Sequence, residues 1–366
     1  MNSILYTIIL AVLWIANLFN GTGLGITYQT TEKLRIIILF FCIYIFIVNC
    51  KRGQYYIKKR NFVTFSCMSC LFVASSYFQG YAQMGFHYIS VFALVFILSN
   101  MEANVKAVKL TGYIYFILGI VVLYLYDYGS IFAGWNPNTI GMIGLYSYLI
   151  FLISFYNNEK KQVTKIFLII VTCLYMWLIK PTDSRSCMWF AIVAILFALS
   201  IIPQTIIIKI KKGYFWLLLV PLFIAATVVL ISKTNYMKAL NLWSIKKFHK
   251  LLFNGRDVLW ENGFQLILKN FVFGNGSLEG NWHNCLIGIM TAYGVIGGLL
   301  WVGVLNNIIK RGTKHLNDGV ILGCTISFFI MYIQQSVELG LVLESPNLLP
   351  YIVLGIMLGR ANYLNK

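Results

Sequence analysis

The chain has 366 residues, of which 59% are hydrophobic and only 11% charged, and it carries a formal net charge of +18. Soluble domains carry about 25% charged residues, so this composition excludes an ordinary water-soluble globular protein. The basic excess suggests nucleic-acid binding, but the lysines and arginines fall in short segments between apolar runs. That distribution records membrane topology instead, and no nucleic-acid partner is expected.

The apolar runs are close to twenty residues, long enough to cross a hydrocarbon core about 30 Å thick. They must be helical, because lipid offers no hydrogen-bond partner to an exposed backbone. Spans are predicted over 4–20, 34–50, 62–79, 82–99, 110–127, 138–156, 166–180, 187–207, 214–232, 283–309, 318–335 and 347–361. The expected fold is an all-α polytopic membrane protein with about twelve transmembrane helices. Residues 1–232 hold helices one to nine, 233–282 form one long segment between spans nine and ten, and 283–366 hold helices ten to twelve. The first run lacks a basic flank and a small-residue cleavage site, so it reads as an uncleaved span. With both termini cytoplasmic, 18 of the 29 basic residues lie on the inside. Four lie in short outer loops (Lys33, Arg35, Lys180 and Arg185), and the long segment holds the remaining seven. The positive-inside bias then puts the long segment outside the cytoplasm.

In chain order, Asn20-Gly-Thr-Gly-Leu-Gly25 follows no strand and reads as a turn. Cys67-Met-Ser-Cys70 sits inside an apolar helix and reads as two small hydrophobes packed between helices. His87 reads as a core histidine of span four. In Trp135-Asn-Pro-Asn138 the asparagines can cap span six or meet sugar hydroxyls. Lys180-Pro-Thr-Asp-Ser-Arg-Ser186 links two spans, and Arg185 there must be paired or face a ligand. Asp183 is its nearest candidate partner, and the pair could equally close a tight turn.

Two amphipathic helices are predicted in the long segment. One covers 242–252, with Lys246, Lys247 and Lys250 on its polar side. The other starts near Gly255, capped by Asn254. Its apolar stripe is Trp260, Phe264, Ile267, Leu268 and Phe271, and Asp257, Glu261, Gln265 and Lys269 make a polar one. Gly274-Asn-Gly276 then turns the chain back. Gly294-Val-Ile-Gly-Gly298 offers small residues for close helix packing. Glu338 and Glu344 lie in the last outer loop.

Three residues carry the chemical argument. Arg256, at a helix start, suits phosphate through its planar fork and the adjacent amides; it could also meet lipid headgroups or Asp257. His283 opens span ten with an imidazole suited to general-base work near neutrality; interfacial histidines also serve as anchors. Arg185 adds a second outer cation. Two arginines and a histidine outside the membrane suit an anionic, lipid-linked substrate. No metal or organic cofactor is expected, since no metal-ligand or phosphate-loop motif occurs.

Asn254-Gly-Arg-Asp-Val-Leu-Trp260, Leu266-Ile-Leu-Lys-Asn270, Phe273-Gly-Asn-Gly276, His283-Asn284 and Ala292-Tyr-Gly-Val-Ile-Gly297 together resemble the signature of the O-antigen ligase and Wzy-type repeat-unit polymerase family. Asn136-Pro-Asn138 and Thr182-Asp-Ser-Arg-Ser186 resemble its asparagine and serine-arginine motifs. The resemblance covers roughly residues 130 to 360, and earlier spans match only generically. It implies a GT-C-like glycosyltransferase of the bacterial inner membrane, needing no metal or cofactor and active on the extracytoplasmic side. Arg185 and Arg256 would hold the donor diphosphate, and His283 would act as base. Asn138, Asp183, Trp260, Trp282, Asn284 and Glu338 are the expected substrate-binding residues.

The expected partners are an undecaprenyl-diphosphate-linked oligosaccharide, membrane lipids, a chain-length regulator protein and a flippase. A polymerase would move the growing glycan onto a new lipid-linked repeat unit; a ligase would move it onto lipid A-core. The compact outer segment, roughly fifty residues, favours the polymerase. A lipid-linked glycan flippase is the rival from another class. It should hold its cations in a central cavity rather than at one outer face.

Overall fold

The computed structural model describes residues 3–22, 28–51, 59–80, 82–129, 136–156, 161–249, 251–276, 281–341 and 347–365. Part of the glycine-rich turn (Gly23 to Gly25), Trp135, Lys250 and Glu344 lie outside them, as does the side chain of His87. The described residues form α-helices and short 3-10 turns, without a strand. The first half holds α1 (Ser3–Thr22), α2 (Tyr28–Lys51), α3 (Lys59–Phe78), α4 (Ala82–Ser99), α5 (Val105–Tyr128), α6 (Pro137–Leu152), α7 (Gln162–Ile179) and α8 (Arg185–Ala198). There follow α9 (Thr205–Lys209), α10 (Tyr214–Leu218), α11 (Val220–Ser232), α12 (Asn235–Phe248), α13 (Arg256–Lys269), α14 (Cys285–Gly312), α15 (Gly319–Gln334) and α16 (Leu349–Leu364).

Among the described residues, four helical stretches are long and apolar enough to cross a membrane: Val105–Tyr128, Pro137–Phe155, Gln162–Thr182 and Cys285–His315. A fifth arises if Val220–Ser232 and Asn235–Lys247, bent by 96°, are one broken span. Six shorter apolar helices accompany them. The outer faces carry large hydrophobic side chains, as on α2, where Ile37, Phe40 and Tyr44 are all more than 60% exposed. Apolar surface on that scale suits a hydrocarbon surround. The middle of the bundle is apolar all round: α6 is buried from Ile140 to Leu152, and α15 and α16 nearly throughout. Buried polar side chains tie helices across this core. Trp14 Nε1 donates to Ser147 Oγ at 2.8 Å, and Ser327 Oγ to the Leu149 carbonyl at 3.0 Å.

Four sequence expectations change. Arg35, read as an outer-loop residue, lies inside α2 and is only 8% exposed. The span predicted over 187–207 ends at Ala198. There the Ile201 and Ile202 amides turn back to the Leu196 carbonyl, Ser200 takes a left-handed φ of 61°, and Pro203 follows. The span over 214–232 is broken before Val220, where Pro221 sits in the first turn of α11 without an amide hydrogen to continue a helix. Cys67 and Cys70 face outward on α3 rather than packing between helices.

The long segment forms α12 and α13. The latter buries Trp260, Gly263 and Ile267 against α14 and α11 and leaves Val258 and Leu268 exposed. Lys233 pairs with Glu261 at 2.7 Å, fastening α11's end to α13. After α13, residues 271–276 dock on a break in α14 at Gly294, where φ is 71°. The Asn275 and Gly276 amides donate to the Thr291 and Ala292 carbonyls at 2.8 and 2.7 Å, and the Val295 amide to the Phe271 carbonyl at 2.8 Å. The turn thus satisfies backbone groups that the break frees from the helical ladder. A side chain at Gly274 or Gly294 would collide with the opposing backbone, so these glycines fit the turn into the break rather than merely thinning a helix face.

Candidate functional site

One end of the bundle gathers the N-termini of α6, α8, α13 and α14 with the C-terminus of α15. α13 begins after two left-handed residues, Asn254 (φ 53°) and Gly255 (φ 79°). Gly255 is the N-cap and no side chain caps the helix, so Asn254 shapes the turn instead of capping it. This geometry sets Arg256 at the first position of α13. Its Nη2 donates to Glu338 Oε1 at 2.9 Å. The other carboxylate oxygen, Oε2, lies 3.3 Å from His283 Nδ1. One carboxylate therefore joins residues 82 and 55 positions away. Its side chain is 5% exposed, against 21% for Arg256 and 23% for His283. A carboxylate this buried needs compensation, and Arg256 supplies it. The cation and the imidazole keep some access to solvent.

His283 holds a left-handed φ of 46°, a conformation unusual outside glycine. Its neighbours hold it there. Trp260, fully buried, donates from Nε1 to the Trp282 carbonyl at 2.7 Å. Asn284, also fully buried, uses both ends of its side-chain amide. Its Oδ1 accepts from the Leu286 and Ile287 amides at 3.1 and 3.2 Å, capping α14. Its Nδ2 donates to the Pro221 carbonyl at 2.8 Å and the Ser336 carbonyl at 3.1 Å. Trp260 and Asn284 thus hold the backbone on either side of His283. Trp282 is 7% exposed and packs against Gly263 of α13.

Below Glu338 lies a buried amide network. Tyr146 donates to Gln334 Oε1 at 2.9 Å and accepts from Gln335 Nε2 at 2.6 Å. Gln335 Oε1 accepts from the Gly340 and Leu341 amides, and the Gln335 carbonyl from the Cys285 amide at 3.0 Å. Glu338 therefore rides on a loop fixed on both sides. Sequence reading passed over this network, although two adjacent glutamines ending an apolar run were its visible sign.

Asn138, Asp183 and Arg185 form a neighbouring group. Asn136 Oδ1 caps α6 by accepting from the Asn138 amide at 2.9 Å. Asp183 takes a left-handed φ of 48° to close the short turn before α8, and its carbonyl accepts from the Arg185 amide at 3.1 Å. A side chain at Gly141 would strike Ser184, so the start of α6 lies against this turn. Arg185 is exposed at the start of α8 and stands apart from the Arg256–Glu338–His283 group. Gln334 Nε2 donates to Ser186 Oγ at 3.4 Å, which joins the start of α8 to the buried amide network.

No family model, curated protein or solved structure matches this chain.

The arrangement sets a cation and an imidazole on one buried carboxylate at the end of an apolar bundle. Among the described residues, no three His, Cys, Asp or Glu side chains are placed to share a metal ion. The chemistry available is anion binding at Arg256 and, apart from it, at the exposed Arg185, with proton acceptance at His283.

Proposed function

We propose that this protein is a polysaccharide polymerase of the Wzy type, a GT-C-like membrane glycosyltransferase with about twelve spans and its site outside the cytoplasm. The observation that carries the reading is the Glu338 carboxylate shared between Arg256 and His283. It joins two of the three residues that the family-like motifs single out. The compact α12–α13 segment favours the polymerase over the ligase.

In this reading an acceptor hydroxyl of a lipid-linked repeat unit attacks the anomeric carbon at the donor's reducing end. A new carbon–oxygen bond forms, the bond to the diphosphate oxygen breaks, and undecaprenyl diphosphate leaves. The hydroxyl proton passes to His283 Nε2. Glu338 beside Nδ1 favours the tautomer with its hydrogen there, which leaves Nε2 as the acceptor. Arg256 uses one N–H on Glu338 and has others to give to the leaving diphosphate, with Arg185 as the second cation.

The test is glycan extension by the purified full chain in nanodiscs, supplied with undecaprenyl-diphosphate-linked repeat units. Longer glycans from the wild type and none from a well-folded His283→Ala variant are expected. Undiminished extension by that variant would remove His283 from the chemistry; translocation without extension would favour a flippase.

A further inference from the structure

A further surface lies on α12, which precedes the site's Arg256 in the chain. α11 is apolar, and its side chains Phe223 and Leu230 are more than half exposed, as residues facing hydrocarbon are. After Ser232 the chain bends by 96° into α12. A bend of that size, out of a helix that faces lipid, lays the next helix along the bilayer surface. Thr234 caps α12, its side chain accepting from the Met237 amide at 3.4 Å. His249 ends it in a left-handed conformation, with φ 56°.

Little of α12 meets the rest of the protein. Met237 and Ser244, on one helical face, are its buried positions among the described residues. Tyr236, Leu242 and Trp243 are at least half exposed, and Ile245 is exposed beside them. Lys238, Lys246 and Lys247 are exposed on the same helix. No Asp or Glu occurs between Lys233 and Gly255. Among the described residues, none of these three lysines has a carboxylate partner. Lys247 Nζ stands 5.7 Å from the centre of the Trp243 ring, an arrangement that leaves its charge in place. The Leu252 amide donates to Asn241 Oδ1 at 3.2 Å, which folds the exposed Leu251 and Leu252 back beside the helix.

Neither bulk phase suits this helix. Three ammonium groups are costly in hydrocarbon, and a cluster of exposed aromatic and aliphatic side chains is unsuited to open water. The boundary between the two suits both. There the rings and branched chains enter the headgroup layer, and the lysine stems carry their charges back to its polar side. We propose that α12 docks on the bilayer surface and gathers anionic phospholipids, with Leu242, Trp243 and Ile245 at the headgroup–acyl boundary and Lys238, Lys246 and Lys247 against phosphates. Lysines with no acid on their own segment set the sign of the lipid. This surface is independent of the reaction read for the Arg256–Glu338–His283 site.

The experiment follows amide hydrogen exchange of the full chain, one chain per nanodisc, in phosphatidylcholine with and without phosphatidylglycerol. Phosphatidylglycerol should slow exchange over α12 roughly fivefold or more, the effect of about one lysine near an anionic surface. The buried amides of α15 serve as the folding control and should not change. Lys238→Gln, Lys246→Gln and Lys247→Gln combined should erase the difference between the two lipids. Leu242→Ser with Ile245→Ser should speed exchange over α12 in both. Equal exchange in the two lipids for the wild type, or a phosphatidylglycerol effect that survives the lysine changes, would overturn the proposal. So would wild-type exchange in the Leu242 and Ile245 variant. Protection that arises only when two chains share a disc would assign the surface to a second copy instead.

Discussion

Two arginine–carboxylate pairs sit at opposite ends of the molecule, and they are built for different ends. Arg360 donates from Nε and Nη2 to Asp318 Oδ2 at 3.1 and 2.7 Å. Asp318 Oδ1 accepts from the Val320 and Ile321 amides, capping α15. Each oxygen of Asp318 is thus occupied by the fold. Glu338 caps nothing. Its two oxygens go to a guanidinium and to an imidazole, both partly open to solvent. The same chemical pair serves as a fastener at one end and, at the other, as a support for a group that can take a proton. The difference lies in the second oxygen's partner: backbone amides at Asp318, and at Glu338 an imidazole that stays partly open to solvent.

This contrast can be tested from the largest effect downward. His283→Ala should lower glycan extension by about 10²–10⁴-fold, the usual contribution of a general base, with little change in the unfolding midpoint. A parallel drop in stability would make His283 another fastener. Removing the carboxylates should separate the pairs next. Asp318→Ala should cost about 3–5 kcal/mol, as expected for a largely buried ion pair broken on one side, while turnover per folded molecule stays constant. Glu338→Gln should lower turnover per folded molecule as well as stability. If both variants change stability alone, the comparison fails.

Arg256→Lys should weaken donor use by roughly tenfold, about 1.4 kcal/mol, because a lysine cannot bridge carboxylate and phosphate as a fork does. Arg360→Lys should leave activity unchanged. The smallest effect is expected from Trp260→Phe, which deletes the hydrogen bond to the Trp282 carbonyl. A loss of about 1 kcal/mol of stability should come with a modest fall in turnover, since that bond helps fix the backbone beside His283.

The helices were largely legible in the sequence, because apolar runs and their basic flanks are local signals. The start of α6 at Pro137 and of α15 at Gly319 lie within a residue of the predicted spans. The breaks were less legible. Pro221 was visible, but a broken helix before it depends on packing around α10 and α11. Gly294 looked like a packing glycine, and only the arrival of residues 271–276 gives its left-handed backbone a reason. In the site, Arg256, His283 and Glu338 each drew notice by residue type. Their meeting did not, since nothing in the spacing of 256, 283 and 338 encodes a tertiary approach. Trp260 and Asn284 stood out by residue type too, and the structure shows both fully buried, bonded to the backbone beside His283.

The docking of residues 271–276 into α14 has a mechanical meaning. α13 is anchored at its head through Arg256, along its length through Trp260 and Glu261, and at its tail through the strap on Gly294. The strap grips the same short helical stretch, Cys285 to Tyr293, that begins just after His283. Cation and imidazole therefore belong to one stiff frame, and their separation is preset by the backbone rather than set by whatever binds there. A bulky residue at Gly274, far along the chain from Arg256, would be felt as a misaligned ruler.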